Sequence, residues 1–332
     1  MKWSWRIGSF RGIGVYVHAT FLILIGFVVL SYWSQGQSLA GTLAGVGFIG
    51  ALFACVVAHE FGHALMAAKY GIKTRDITLL PIGGVARLER MPDDPRQEVW
   101  VALAGPAVNV VIAVVLFAWL EFTATRPPFS QLSVTGGPFL QRLMVVNVFL
   151  VVFNMLPAFP MDGGRVLRAI LPTGMEYTRA THIAATIGQA MALLFGFLGF
   201  FGNPFLLFIA LFVWIGAAQE ASMAQMKSAL SGIPVARAML TDFRTLSPQD
   251  GLHRAVELLL SGSQHDFPVL DGERVVGVLT RADLLVALAQ RDQDSRVEDV
   301  MRREFETVDA AEMLETAFRR FQTCHCETLP IL

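Results

Sequence analysis

Cysteine and charge are what this chain has least of. Only Cys55, Cys324 and Cys326 occur among 332 residues, too few for a disulfide framework. Cys324-His325-Cys326 has donors suited to a soft metal or a redox couple, but as one short isolated cluster it reads as incidental. Charged residues make up 16% of the chain and gather toward its C-terminal third. The formal net charge of −1 gives none of the basic footprint that nucleic acid requires. Residues 1–230 also lack the internal symmetry of inverted halves expected of a secondary transporter.

What is present is apolar. A hydrophobic fraction of 54% and a mean hydropathy of +0.53 exceed those of ordinary soluble proteins, and the length allows two or three domains. A basic start (Lys2, Arg6, Arg11) leads into an apolar run from Ile13 to Tyr32. That resembles a signal peptide, with Ser38-Leu39-Ala40 as a passable cleavage site. At about 20 residues, however, the run fits a ~30 Å bilayer core and is expected to be a retained first span, with His18 at the interface. Further apolar segments at 41–69, 99–120, 139–157, 179–200 and 204–226 bring the expected spans to six.

Lys and Arg orient them by the positive-inside rule. With the N-terminus cytoplasmic, Lys69, Lys73, Arg75, Arg87, Arg90, Arg96, Arg165, Arg168, Arg179, Lys227 and Arg237 all fall inside. The opposite side holds little beyond Arg126 and Arg142. The expectation is a multi-pass protein of the plasma membrane with its C-terminal region in the cytoplasm.

The second span carries Ala58-His59-Glu60-Phe61-Gly62-His63, an H-E-x-x-H sequence preceded by an uncharged stretch from Gly41 to Ala58. Residues four apart lie on one helix face, so His59 and His63 can point at one metal ion while Glu60 stands beside them as a base. Ionisable groups at this depth are costly in lipid without a role. Two core histidines satisfied by their helix neighbours are the plainer alternative.

After that span, Arg75 to Glu89 holds two short apolar runs around Pro81 and Gly83-Gly84. This reads as a β-hairpin, either a plain surface turn or an edge that receives an extended substrate. The third span opens with Ala104-Gly105-Pro106-Ala107-Val108-Asn109. Its small residues allow close helix packing, and Asn109 suits a packing hydrogen bond or a group behind the metal ligands. The fourth span ends in Asn154-Met155-Leu156-Pro157-Ala158-Phe159-Pro160-Met161-Asp162-Gly163-Gly164-Arg165. Asp162 falls near the depth of His59 and is the candidate third ligand, or else an N-cap for a segment starting near Arg165. Asn154 could bond a substrate carbonyl or oxyanion.

H-E-x-x-H in the second span, G-P-x-x-N opening the third and N-x-x-P-x-x-x-x-D-G after the fourth resemble the site-2 protease family, zinc intramembrane metalloproteases. The subgroup with C-terminal cystathionine-β-synthase (CBS) domains fits best. The resemblance implies one Zn²⁺ per chain on His59, His63 and Asp162, Glu60 as general acid/base, and Asn154, Pro157, Gly83 and Gly84 at the substrate. The implied activity is hydrolysis of peptide bonds in or near a membrane-associated segment.

Past Lys227 the composition becomes soluble. Residues 1–230 are expected to form the membrane protease domain, 231–237 a linker, 238–290 one CBS copy and 291–332 an incomplete second copy. Met239, Phe243, Thr245 and Ala255 recur as Met301, Phe305, Thr307 and Ala317, an offset of 62, and Pro268-Val269-Leu270 recurs as Pro330-Ile331-Leu332. Gly277-Val278-Leu279-Thr280-Arg281-Ala282-Asp283 is similar to the signature by which CBS motifs bind ATP or another adenosine nucleotide, with Thr280 toward phosphate and Asp283 toward ribose. A helix cap made by Thr280 and Asp283 needs no ligand and is the alternative. CBS pairs often dimerise, so a homodimer is a further expectation, and an incomplete copy would expose a sheet edge. A nucleotide-gated transporter or an inactive sensory scaffold remains the competing function.

Overall fold

The apolar run after the basic start does not form one helix. In the computed structural model Ile13–His18 is a strand, β2, paired antiparallel with β1 (Ser4–Phe10). Only Phe21–Ser34 is helical, α1. At ~1.5 Å per residue a helix this short rises roughly 21 Å, less than the ~30 Å of a bilayer core. A strand joined almost directly to an apolar helix merges with it into a single hydrophobic run, which is why the sequence suggested one span. The structure describes residues 3–92, 94–123, 137–171, 176–290, 295–324 and 326–332, so Lys2, Arg126 and His325 lie outside it.

The chain separates into two units, Met1–Ala224 and Gln225–Leu332. In the first, α2 (Leu39–Lys69) leads to the expected hairpin, β3 (Thr74–Leu80) and β4 (Gly83–Leu88). That hairpin is half of a four-stranded sheet ordered β1-β2-β3-β4. Strands β2 and β3 run parallel because the helices α1 and α2 cross over between them. Ile13 of β2 and Ile77 of β3 pack with Phe61 and Ala64 of α2, laying the sheet against the helix segment that carries the two histidines.

Helices α3 (Pro95–Phe122), α4 (Phe139–Asn154), α5 (Asp162–Ile170), α6 (Tyr177–Phe201) and most of α7 (Phe205–Leu230) complete the unit. Among the described residues four helices, α2, α3, α6 and α7, are long and apolar enough to cross a membrane. Only 17–33% of their most apolar stretches is buried within the protein. Val111, Val114, Leu193 and Phe197 are exposed on them, whereas His59, His63 and Asn109 are buried. Apolar outside and polar inside is the arrangement a lipid solvent favours. The expected first and fourth spans are the shorter apolar helices α1 and α4.

The second unit repeats itself as its sequence does. Helix α8 (Leu252–Ser261) recurs as the later helix Leu314–Cys324, and the single 3₁₀ turn Val235–Arg237 recurs as Val297–Asp299. Bridges Leu246↔Val269 and Val308↔Ile331 are likewise equivalent, both parallel. Bridges Pro234↔Met313 and Gly251↔Arg296 exchange the two copies, so the repeats face each other about a local pseudo-twofold. The first copy also holds the hairpin β5 (Phe267–Asp271) and β6 (Arg274–Leu279), then α9 (Arg281–Gln290). The helix Leu314–Cys324, α10, ends at a disulfide between Cys324 and Cys326. A bridge across one intervening residue closes no long loop and is not a framework.

Candidate metal centre

His59 and His63 fall one turn apart in α2, and both are buried. Asp162 is the first residue of α5 and also buried. Its carboxylate does not cap that helix. Instead Oδ2 lies 3.2 Å from His59 Nε2 and 3.2 Å from His63 Nε2, and the two Nε2 atoms are 3.0 Å apart. Three residues 103 positions apart at their extremes thus meet at one point. A tetrahedral ion with bonds of ~2.0–2.1 Å holds its donors roughly 3.3 Å apart, close to the spacing found.

The other faces of the imidazoles explain why those atoms converge. His63 Nδ1 lies 2.7 Å from the Val101 carbonyl oxygen. That oxygen can only accept, so Nδ1 donates and in the neutral ring Nε2 is left with its lone pair. His59 Nδ1 lies 2.5 Å from Asn109 Oδ1. Three acceptors then face one another, an arrangement that repels itself without a cation or proton among them. Both outer partners come from α3, which approaches the site at Gly105. A β-carbon on Gly105 would lie 2.2 Å from His63 Nε2 and 2.7 Å from His59 Nε2. The donor set and the bare backbone beside it fit a metal ion.

Glu60 is half-buried on the adjoining face of α2, and its Oε2 accepts from the Ala86 N–H of β4 at 3.1 Å. Strand β4 is the last in the sheet order, so one of its edges pairs with no strand among the described residues. Gly84 sits over Glu60, and a β-carbon there would be 2.8 Å from Glu60 Cγ. Gly83 opens the same strand. Asn154 ends α4 half-buried, with its amide donating to the Leu150 carbonyl at 3.0 Å, and Pro157 is exposed beyond it. Neither residue is among the converging ligand atoms.

The sequence reading missed three supports. Asn147 of α4 accepts from Asn109 Nδ2 at 2.8 Å. Glu98 of α3 and Arg168 of α5 form a buried ion pair, with Arg168 Nε donating to Glu98 Oε1 at 2.9 Å. Asn147 had a legible signal, an amide inside an apolar run. Arg168 did not, since its charge served equally well as an inside loop residue.

In the second unit Thr280 precedes α9 and caps it, its Oγ1 accepting from Asp283 N at 3.2 Å and donating to Asp283 Oδ2 at 2.6 Å. The Asp283 carboxylate is also held by a two-pronged contact from Arg302, 2.6 Å from Nε and 3.0 Å from the terminal nitrogen. Burial pushes this carboxyl up, but Arg302 and Thr280 outweigh it and hold Asp283 below its ordinary value. Asp266 and Thr328, equivalent positions of the two copies, bond each other at 2.5 Å.

Peptidase family M50 matches residues 47–136 and 130–195, and the CBS domain matches residues 225–290. The chain is 34% identical over 282 residues to Zinc metalloprotease MJ0392 of Methanocaldococcus jannaschii, covering 84% of this chain and 78% of that protein. It is 27% identical over 146 residues to Stage IV sporulation protein FB of Bacillus subtilis, covering 44% and 47% of the two. The solved structure of the site-2 protease from Methanocaldococcus jannaschii superposes with a TM-score of 0.51 at 33% identity, covering 74% of this chain and 99% of that one. These matches, over a helical unit that gathers H-E-x-x-H and a distant aspartate, show that the chain belongs to the site-2 protease family of zinc metalloproteases and carries a CBS region.

Proposed function

We propose that His59, His63 and Asp162 hold one Zn²⁺ per chain and that Glu60 is the general acid/base for hydrolysis of peptide bonds in or near the transmembrane segment of a membrane-associated substrate. The convergence of the three acceptor atoms within 3.0–3.2 Å of one another, with Glu60 next to them on the same helix, carries this reading. Zinc, when bound, supplies Lewis acidity to a water and to the scissile carbonyl. The chain's own part is orientation and proton transfer. The Val101 carbonyl and Asn109 fix the imidazole rings, while α3 at Gly105 leaves room for nothing larger than backbone. A Glu60 carboxylate oxygen takes the proton of the attacking water and delivers it to the leaving amine nitrogen.

A helical peptide bond is internally hydrogen-bonded, so the substrate must be extended at the site. The edge of β4 at Gly83 and Gly84 would offer backbone groups for such a strand beside Glu60. The second N–H of the Asn154 amide would donate to a substrate carbonyl near Pro157. In the CBS region Thr280 and Asp283 would receive an adenosine nucleotide such as ATP, which would regulate cleavage, and a homodimer would form there. The N-terminus and CBS region face the cytoplasm of a plasma-membrane protein.

The test is Glu60→Gln, co-expressed with a panel of single-span substrates, with bound zinc measured in parallel. Loss of cleavage with zinc retained supports the assignment. Undiminished cleavage by Glu60→Gln, or no zinc on the unmutated chain, sinks it.

A further inference from the structure

Behind His59 the polar contacts run on through two asparagines to a third helix. Asn109 of α3 and Asn147 of α4 are both fully buried, at 0% exposure. Asn147 Nδ2 lies 2.8 Å from the Leu143 carbonyl of its own helix and 3.5 Å from Cys55 Sγ of α2. Asn109 Nδ2 lies 2.8 Å from Asn147 Oδ1, and Asn109 Oδ1 lies 2.5 Å from His59 Nδ1. Two buried amides on apolar helices are costly in lipid, and neither is a metal-ligand type here.

The direction of the whole series follows from its far end. A backbone carbonyl only accepts, so the Asn147 group facing Leu143 must be the NH₂. Asn147 then turns its oxygen to Asn109, which must answer with its own NH₂. That places Asn109 Oδ1 against His59, so His59 Nδ1 must be the donor and, in the neutral ring a metal ligand requires, Nε2 keeps its lone pair. With the Asn109 amide turned over, an NH₂ would face Nδ1, the imidazole proton would move to Nε2, and His59 could not be a ligand.

We propose that Asn147 is a positioning residue for the metal centre. Through the Leu143 carbonyl it fixes which way the Asn109 amide faces, and thereby which nitrogen of His59 is free. This rests on the reading of His59, His63 and Asp162 as zinc ligands. Asn147 touches neither ligand nor metal and acts wholly through Asn109.

The test uses the full chain in detergent or nanodiscs, with zinc affinity measured by competition against a chromophoric chelator. Asn147→Leu, close in shape, should weaken zinc by about tenfold, the lower end for outer partners of metal ligands. Asn109→Asp in that background should restore most of the loss, because a carboxylate has two equivalent acceptors and cannot face the wrong way. Lost packing between α3 and α4 would not be repaired by a charge at residue 109. Unchanged zinc affinity in Asn147→Leu, or no recovery in the double variant, overturns the proposal while leaving the ligand assignment intact. A wild-type chain that binds no zinc overturns both. Should Asn147→Leu not fold, Asn147→Ser takes its place, because its hydroxyl is too short to reach Asn109, and the rescue by Asn109→Asp carries the same two outcomes.

Discussion

Arg168 and Glu98, 70 positions apart, are clasped together where α5 meets α3, and both are buried. Arg168 also lies over the rings of Phe159, at 4.9 Å, and Tyr177, at 4.6 Å. The pair fastens the helix that starts with Asp162 to the helix that supplies Val101 and Asn109. Arg168→Met is therefore expected to strand a buried carboxylate and cost about 3–5 kcal/mol. Pairing it with Glu98→Leu, which removes that carboxylate, should recover most of the loss. Thermal unfolding of the purified chain measures both. A double variant as unstable as Arg168→Met alone would contradict this account.

Gly105 borders His59 and His63 and Gly84 borders Glu60, and alanine at each should fail differently. At Gly105 the added carbon meets both Nε2 atoms, at 2.2 and 2.7 Å, where a metal's donors must converge. At Gly84 it meets Glu60 Cγ at 2.8 Å and Val56 Cγ1 at 2.9 Å instead. Gly105→Ala is expected to lose zinc and activity together. Gly84→Ala is expected to keep zinc and lose at least tenfold in kcat by displacing the base. Zinc content and turnover measured on both variants separate the two, and zinc loss from Gly84→Ala would show that β4 supports the ligands as well.

The motifs were legible because their chemistry is carried by residue type at helical spacing. His59, Glu60 and His63 needed only a helix, and Asp162 only an apolar helix ending nearby. The partners that set the rings were partly hidden. The Val101 contact is made by a backbone carbonyl, which no residue type advertises. Asn109 was seen, but its role depends on Asn147, whose direction of bonding comes from Leu143 one turn back. Strands β1 and β2 escaped because Ile13, Val15 and Val17 run straight into an apolar helix, so period two and period 3.6 merge. The CBS repeat was plain from a constant offset, yet its ion pair was not. Arg302 reaches Asp283 because β6 and residue 302 pair across an isolated bridge at Val278, a neighbourhood that spacing alone does not give.

That ion pair makes a prediction of its own. Arg302 occupies both Asp283 oxygens, so ribose hydroxyls that bind them would compete with it. The contact has good two-pronged geometry, but the Arg302 side chain is 51% exposed, which limits the pair to about 0.5–1 kcal/mol. Arg302→Ala should accordingly bind adenosine about two- to fivefold more tightly, and Asp283→Ala should not bind it. Weaker adenosine binding by Arg302→Ala would mean that the guanidinium contacts the ligand rather than blocking it. Acid should erase the difference in fold stability between the wild type and Arg302→Ala. The native Asp283 carboxyl is held below its ordinary value, so the pair stabilises the fold above the unfolded pKa of about 3.9 and is lost as pH falls through the lower native one. Amide hydrogen exchange across α9, compared between the two proteins at each pH, should show greater protection in the wild type at neutral pH and equal protection once Asp283 is protonated.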